Sequence, residues 1–144
     1  MTRELPSSLL MFIAARGAAE RIFRAVHDAG FEDVTIAQSR LLMGIDEQGT
    51  RLSVLADRAQ IAKQTATALV DKLERAGYVE RVPDPSDGRA RLVRMTPRAE
   101  AALPAARAEE ERIEAEWRAL LGRELMDHLR TALTTLRGAT DPYL

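Results

Sequence analysis

VERVPDPSDGRARLVRMT, residues 79–96, decides the fold of this chain. A short strand-like run leaves Tyr78 and Val79 and enters Pro83-Asp84-Pro85-Ser86-Asp87-Gly88. It comes back as Arg89-Ala90-Arg91-Leu92-Val93-Arg94-Met95. Turn-forming residues between two strand-like runs predict a β-hairpin. Arginines crowd its tip, and a helical segment stands directly before it. A helix followed by an arginine-bearing hairpin suits a nucleic-acid reader, with the helix entering a groove and the hairpin clamping alongside.

Working outward toward the N-terminus, residues 63–75 read as a helix from about Lys63 to Arg75 that closes on Gly77. Gln60-Ile61-Ala62 is a turn, and Val54–Ala59 is a shorter helix with Ser53 as its expected N-cap and Leu55 and Ala56 inward. A short extended piece, Thr50–Leu52, precedes it. Thr35 and Gln38 have capping-box spacing, so another helix begins at Ile36, runs through Leu41, Leu42 and Ile45, and stops near Gly49. Residues 7–29 read as one long helix, capped by Ser7 or Ser8 after Pro6 and ended by Gly30. Its apolar stripe is Leu9, Phe12, Ile13, Ala19, Ile22, Phe23 and Val26.

Toward the C-terminus, Thr96-Pro97 starts a helix expected to reach Leu121 with a kink at Pro104. It carries Ile113, Trp117, Leu120 and Leu121. Gly122 interrupts it, and a last helix, Glu124–Arg137, aligns Leu125, Leu129, Leu133 and Leu136. The expected class is mostly α with a small β-hairpin wing. The 144 residues make one domain, with 35–96 as the winged lobe and 1–34 plus 97–144 as a helical region. The terminal stripes of Leu, Ile and Phe exceed what a lone wing module can cover. They point to a second copy, with Leu9, Ile13, Leu125, Leu129, Leu133 and Leu136 at the interface.

Composition excludes several classes of function. Cysteine is absent, so disulfides, thiol nucleophiles and thiolate metal sites are excluded. His27 and His128 lie far apart, and no metal site or cofactor is expected. No paired carboxylates, nucleophile–base set or glycine-rich phosphate loop suggest an enzyme. The longest apolar run, Leu9–Ala15, is far short of the ~20 residues of a membrane span. Neither a membrane role nor a signal peptide is expected, and a cytoplasmic location follows. Net charge is −1, yet its distribution is uneven. Residues 51–96 hold nine basic and six acidic residues, against 12 basic and 16 acidic elsewhere. A basic middle flanked by acidic ends fits an electrostatic footprint on one module.

On a helical wheel of 63–75, Ala62, Ala66, Leu69, Val70 and Leu73 share one face, expected to be inward. The other face shows Gln64, Thr67, Ala68 and Asp71, flanked by Lys63, Thr65 and Lys72. Gln can pair with adenine, Thr can meet a thymine methyl or a phosphate, and Lys can reach guanine or phosphate. The helix N-terminus also offers N–H groups to a phosphate. Arg89 and Arg91, two apart on a strand, are expected on one side of the hairpin, with Asp87 holding Arg89 by an ion pair. Such an arginine suits a narrow minor groove.

The run LSVLADRAQIAKQTATALVDKLERAGYVERVPDPSDGRARLVRMT, residues 52–96, resembles the winged helix-turn-helix of the MarR family of bacterial transcription regulators. The LVDKLERAGYVER join and the DPSDGRARLVRMT wing are the most specific pieces. The resemblance implies a homodimer whose first and last helices intertwine, with one recognition helix and one wing per subunit facing a near-palindromic operator. Many such regulators are repressors released by small aromatic ligands. Carried over by position, Lys63, Gln64, Thr65 and Thr67 are groove-facing, and Asp87 and Arg89 form the wing-tip pair; Lys72 and Arg91 complete the expected DNA contacts. Phe12, Arg16, Phe23 and Met43 are candidates to line an effector pocket. Three positions depart from the family pattern. Ala62 replaces the usual Ser or Thr cap, and Gly88 and Ala68 stand where basic residues are common. The alternative from another class is a winged helical module that binds a protein instead of DNA. Large apolar residues on the outer face of 63–75 would favour it, and Gln64, Thr67 and Asp71 do not.

Overall fold

The computed structural model describes residues 3–144. The chain divides into two compact units, one reaching to Ala106 and the other spanning Arg107–Leu144. In the first unit the order is α1 (Ser7–Asp28), α2 (Ile36–Met43), α3 (Leu52–Ala59), α4 (Lys63–Arg75), β1 (Val79–Asp84), β2 (Asp87–Met95) and the single turn α5 (Pro97–Glu100). Helix α6 (Leu103–Leu121) leads into the second unit, which ends with α7 (Arg123–Thr140). The expected mostly helical class with a two-stranded wing is what the chain adopts.

The core of the first unit is small and close to the winged lobe. Leu41 from α2, Leu55 from α3, Val70 and Leu73 from α4, and Val79 and Val93 from the hairpin are essentially inaccessible. Leu69 packs against this cluster from its edge. Burying such side chains stabilises the fold by roughly 1.5–3 kcal/mol each. The inward face of α4 is thus Ala66, Val70 and Leu73, with Leu69 alongside. Ala62 is exposed, contrary to the wheel, because it is the N-cap residue with extended backbone and lies outside the helical repeat.

Local chemistry explains most boundaries. At α2 the capping box forms: Gln38 N donates to Thr35 Oγ1 at 3.2 Å and Thr35 N donates to Gln38 Oε1 at 3.0 Å. This helix stops at Met43, earlier than its apolar pattern suggests, with Gly44 as C-cap. Arg58 then donates to the Gly44 carbonyl at 2.6 Å, a side-chain partner for a helix-end oxygen. The α3–α4 turn places Gln60 in the left-handed region at φ 56°, and Ile61 N returns to the Ala56 carbonyl at 3.0 Å. Two expected caps fall on other residues. Pro6 is the N-cap of α1, so Ser7 is already helical, and Arg51 is the N-cap of α3, so Ser53 lies in its first turn.

Pro104 breaks the expected helix rather than kinking it. α5 ends at Glu100 and α6 starts at Leu103, so Pro104 sits in a first turn, where its missing N–H costs nothing. Pro97 does begin α5. The Thr96 hydroxyl makes no cap; it donates to the Gly77 carbonyl at 2.5 Å. Next to it, the Tyr78 hydroxyl donates to Asp33, and Arg98 stacks 4.3 Å above the Tyr78 ring while pairing with Asp33 at 3.1 Å. Three connections of the first unit therefore meet at one tyrosine.

In the second unit, Arg118 pairs with Asp127 at 3.2 Å and Arg130 with Glu114 at 3.2 Å. These exposed pairs link α7 to the end of α6 in antiparallel order across Gly122, whose φ of 84° allows the reversal. Ile113 and Met126 are buried, and Trp117 is half-buried. Among the described residues, no helix is long and apolar enough to cross a membrane.

Candidate nucleic-acid interface

The hairpin is tighter and less regular than its sequence suggests. Asp84 pairs with Asp87 across Pro85 and Ser86, a two-residue turn rather than a six-residue one. From Val79↔Met95 to Pro83↔Arg91 the register is regular, and it then shifts between Pro83 and Asp84. Gly88, Arg89 and Ala90 lie in that shift with no ladder partner on β1. Strand alternation therefore does not relate Arg89 to Arg91, and the argument that would put them on one side does not apply across this irregularity. Both are exposed.

A third segment joins this small sheet. Thr50 exchanges two backbone hydrogen bonds with Val93, at 2.9 and 2.8 Å. Gly49 is required there: its φ is +99°, and an added Cβ would lie 3.0 Å from the Leu92 Cβ and 3.3 Å from the Val93 carbonyl oxygen. The bridge delivers the next residue, Arg51, to the wing. Arg51 Nε donates to Asp84 Oδ2 at 2.9 Å and its Nη2 lies 2.8 Å from the same oxygen. Asp84 Oδ1 accepts from the Ser86 hydroxyl at 2.7 Å and the Ser86 N–H at 2.8 Å. The Ser86 hydroxyl, then the Ser86 N–H and Arg51, pull the Asp84 carboxyl down to about 2. Sequence reading missed this clamp. Asp87 does not hold the Arg89 side chain. Its Oδ1 accepts the Arg89 backbone N–H at 3.1 Å, while Oδ2 lies 3.7 Å from Arg51 Nη2.

Ion pairing sorts the nine cations of residues 51–96 into two groups. Arg51 is tied to Asp84, Arg58 to Asp46 at 3.1 Å, Arg81 to Asp71 and Glu74 at 2.7 and 2.8 Å, and Arg94 to Glu80. Lys63, Lys72 and Arg75 on α4, with Arg89 and Arg91 on the wing, make no side-chain hydrogen bond or ion pair with another described residue. Meanwhile Asp71, Glu74, Glu80, Asp84 and Asp87 are all engaged by arginines. Positive charge is left exposed along α4 and at the wing tip.

The start of α4 adds open donors. Ala62 has capping backbone angles, φ −64° and ψ 147°, but no side chain to satisfy the first N–H groups. Gln64 and Thr65 are exposed beside them. Thr67 donates its hydroxyl proton to the Lys63 carbonyl at 2.9 Å, so outwardly it offers a methyl group and an acceptor.

Three of the four candidate pocket residues come together. Arg16, Phe23 and Met43 line a small recess between α1 and α2 with Ile36, Ser39 and Arg40. Phe12 is not among them; it is 59% exposed, with the Arg16 guanidinium 5.9 Å from its ring centre. The recess holds only about 20 Å³, room for about one water. Of the candidate interface residues, Leu9, Ile13, Leu125, Leu133 and Leu136 are 40–54% exposed, and Leu129 is half-buried. His27 lies 3.5 Å from Asp28 and near the Phe23 ring.

A helix-turn-helix followed by a wing bridged to the segment before α3 is a winged helix, and it defines the class. Residues 32–90 match the family model described as the MarR family. A crystal structure of MarR is 27% identical, with a TM-score of 0.74 over 96% of this chain and 93% of that one. The transcriptional regulator PA4135 is 26% identical, with a TM-score of 0.68 over 93% and 98%. The transcriptional regulator Tm0710 from Thermotoga maritima is 26% identical, with a TM-score of 0.61 over 96% of both chains. No curated protein matches the sequence. The MarR family match covers residues 32–90, and the fold over nearly the whole chain is that of solved winged helix transcriptional regulators.

Proposed function

We propose that the protein is a homodimeric, DNA-binding transcription regulator, a repressor acting in the cytoplasm on a near-palindromic operator. The observation that carries this reading is the charge sorting. Among the described residues, five cations on α4 and the wing make no ion pair, while the carboxylates around them are engaged. Phosphate neutralisation supplies most non-specific and much specific affinity for DNA. Lys63, Gln64, Thr65 and Thr67 would face base edges in a major groove. Lys72 and Arg91 would neutralise phosphates, and Arg89, on the backbone that Asp87 holds, would reach the adjacent minor groove. The function is binding, and it needs no catalytic step or cofactor.

Two copies would place their α4 helices in successive major grooves, ~10 base pairs apart. The exposed leucines of α7 and the apolar face of α1, which buries no residue completely, are surfaces a second copy would cover. Replacing Leu129 and Leu133 by Asp should dissociate the dimer in light scattering and abolish specific binding together. A small aromatic effector would have to open the recess between α1 and α2 and thereby favour a half-spacing that no longer fits two grooves.

The test is a gel shift with the DNA flanking this protein's own gene, titrated with salt. Specific binding with a steep salt dependence supports the reading. Retention of a protein partner with no DNA affinity would favour the interaction-module alternative.

A further inference from the structure

We propose that Arg51 is a positioning residue for DNA recognition: by gripping Asp84 and Asp87 it sets the unpaired tip segment, Gly88–Ala90, that carries Arg89. The inference deepens the DNA-binding reading and rests on it.

The tip segment has little structure of its own. Gly88, Arg89 and Ala90 have no ladder partners, and a Cβ placed on Gly88 would meet nothing within 4 Å. The Arg89 side chain has no partner among the described residues. The segment is therefore oriented from its base, and Arg51 supplies that base from two directions. Its contacts to Asp84, at 2.8 and 2.9 Å, fix the outgoing corner together with Ser86. Its 3.7 Å contact to Asp87 steadies the carboxylate whose other oxygen accepts the Arg89 N–H. Asp84 is 7% exposed, so the grip is shielded from water and salt on one side. Arg51 itself is held in register by the Thr50–Val93 bridge. A guanidinium suits the task because its planar fork can face two carboxylates at once; an ammonium group cannot reproduce that geometry.

The experiment is a double-mutant cycle between Arg51→Ala and Arg89→Ala. Binding is measured to a duplex selected from a random pool by the wild-type protein. Amide exchange of residues 86–90 is followed in the DNA-free protein. Arg51→Ala should speed exchange at Ser86 and Arg89 and weaken binding roughly tenfold. In the Arg89→Ala background the same change should cost little, because the residue being positioned is gone. Arg51→Lys should recover only part of the loss. A purely structural role would lower the melting temperature without this coupling, and a direct phosphate contact by Arg51 would give equal losses in both backgrounds. Either result, or unchanged exchange at the tip, overturns the proposal while DNA binding stands. If the wild-type protein selects no duplex, the DNA-binding reading fails and the proposal falls with it.

Discussion

The unpaired cations make a quantitative claim about salt. A dimer would present ten of them, two copies each of Lys63, Lys72, Arg75, Arg89 and Arg91. Each neutralised phosphate contributes about −0.9 to the slope of log K against log salt. The slope should therefore be no steeper than about −9, with affinity falling up to on the order of 10⁵ between roughly 50 and 200 mM salt. Lys72→Gln or Arg91→Gln removes a charge from both subunits and should flatten the slope by about 1.8. The control is the charge-neutral double variant Glu80→Gln/Arg94→Gln. It removes a cross-strand pair, exposed and joined by a 3.0 Å bond from Arg94 Nε. Such a pair contributes about 0–1 kcal/mol to stability, so this variant should leave both fold and slope unchanged. Fluorescence anisotropy on one labelled duplex at four or more salt concentrations reads all three variants. If the control flattens the slope as much as Lys72→Gln does, division of the cations by their internal partners is wrong.

Ala62→Ser should raise stability by about 1 kcal/mol, because the backbone there already has capping geometry and lacks only the oxygen. That is about 2–4 °C in thermal melting for a chain of this size. Gly49→Ala should lower stability by more than about 1 kcal/mol in denaturant melts, since φ of +99° and the 3.0 Å approach to Leu92 oppose any side chain. Acid titration should find the wing clamp intact well below pH 4. The folded Asp84 carboxyl titrates at about 2, below the usual value of 3.8. Its contribution to stability is therefore fully present above the unfolded value of 3.8 and is lost progressively as pH falls from there through about 2. Asp84→Asn should remove that part of the acid transition, as read by amide exchange at Ser86.

How much was legible depends on how far each interaction reaches along the chain. The capping box of Thr35 and Gln38, the span of α4, the Gln60 turn and the hairpin all follow from residues within four positions of each other. Arg51 and Asp84 stand 33 residues apart, and no periodicity or turn rule connects them. The Thr50–Val93 bridge escaped for the same reason, and without it Arg51 reads as one more surface charge. Tip register is hidden differently: turn-rich composition shows that the chain reverses, but not that Asp84 pairs with Asp87. Pro104 reads alike inside a helix and in its first turn, so composition does not distinguish a kink from a restart. Among the candidate binding residues, α4 positions could be read from the wheel. Arg89 lies near the tip, and Asp87 accepts its backbone N–H rather than pairing with its side chain.

The uncapped start of α4 gives the free protein a helix that is thermodynamically unfinished. A phosphate oxygen of the operator, arriving at those bare amides, would complete the first turn at the moment of docking. Part of the heat of association would then belong to ordering the protein itself. The Ala62→Ser protein, with that turn tightened beforehand, should show a smaller calorimetric enthalpy on the same duplex.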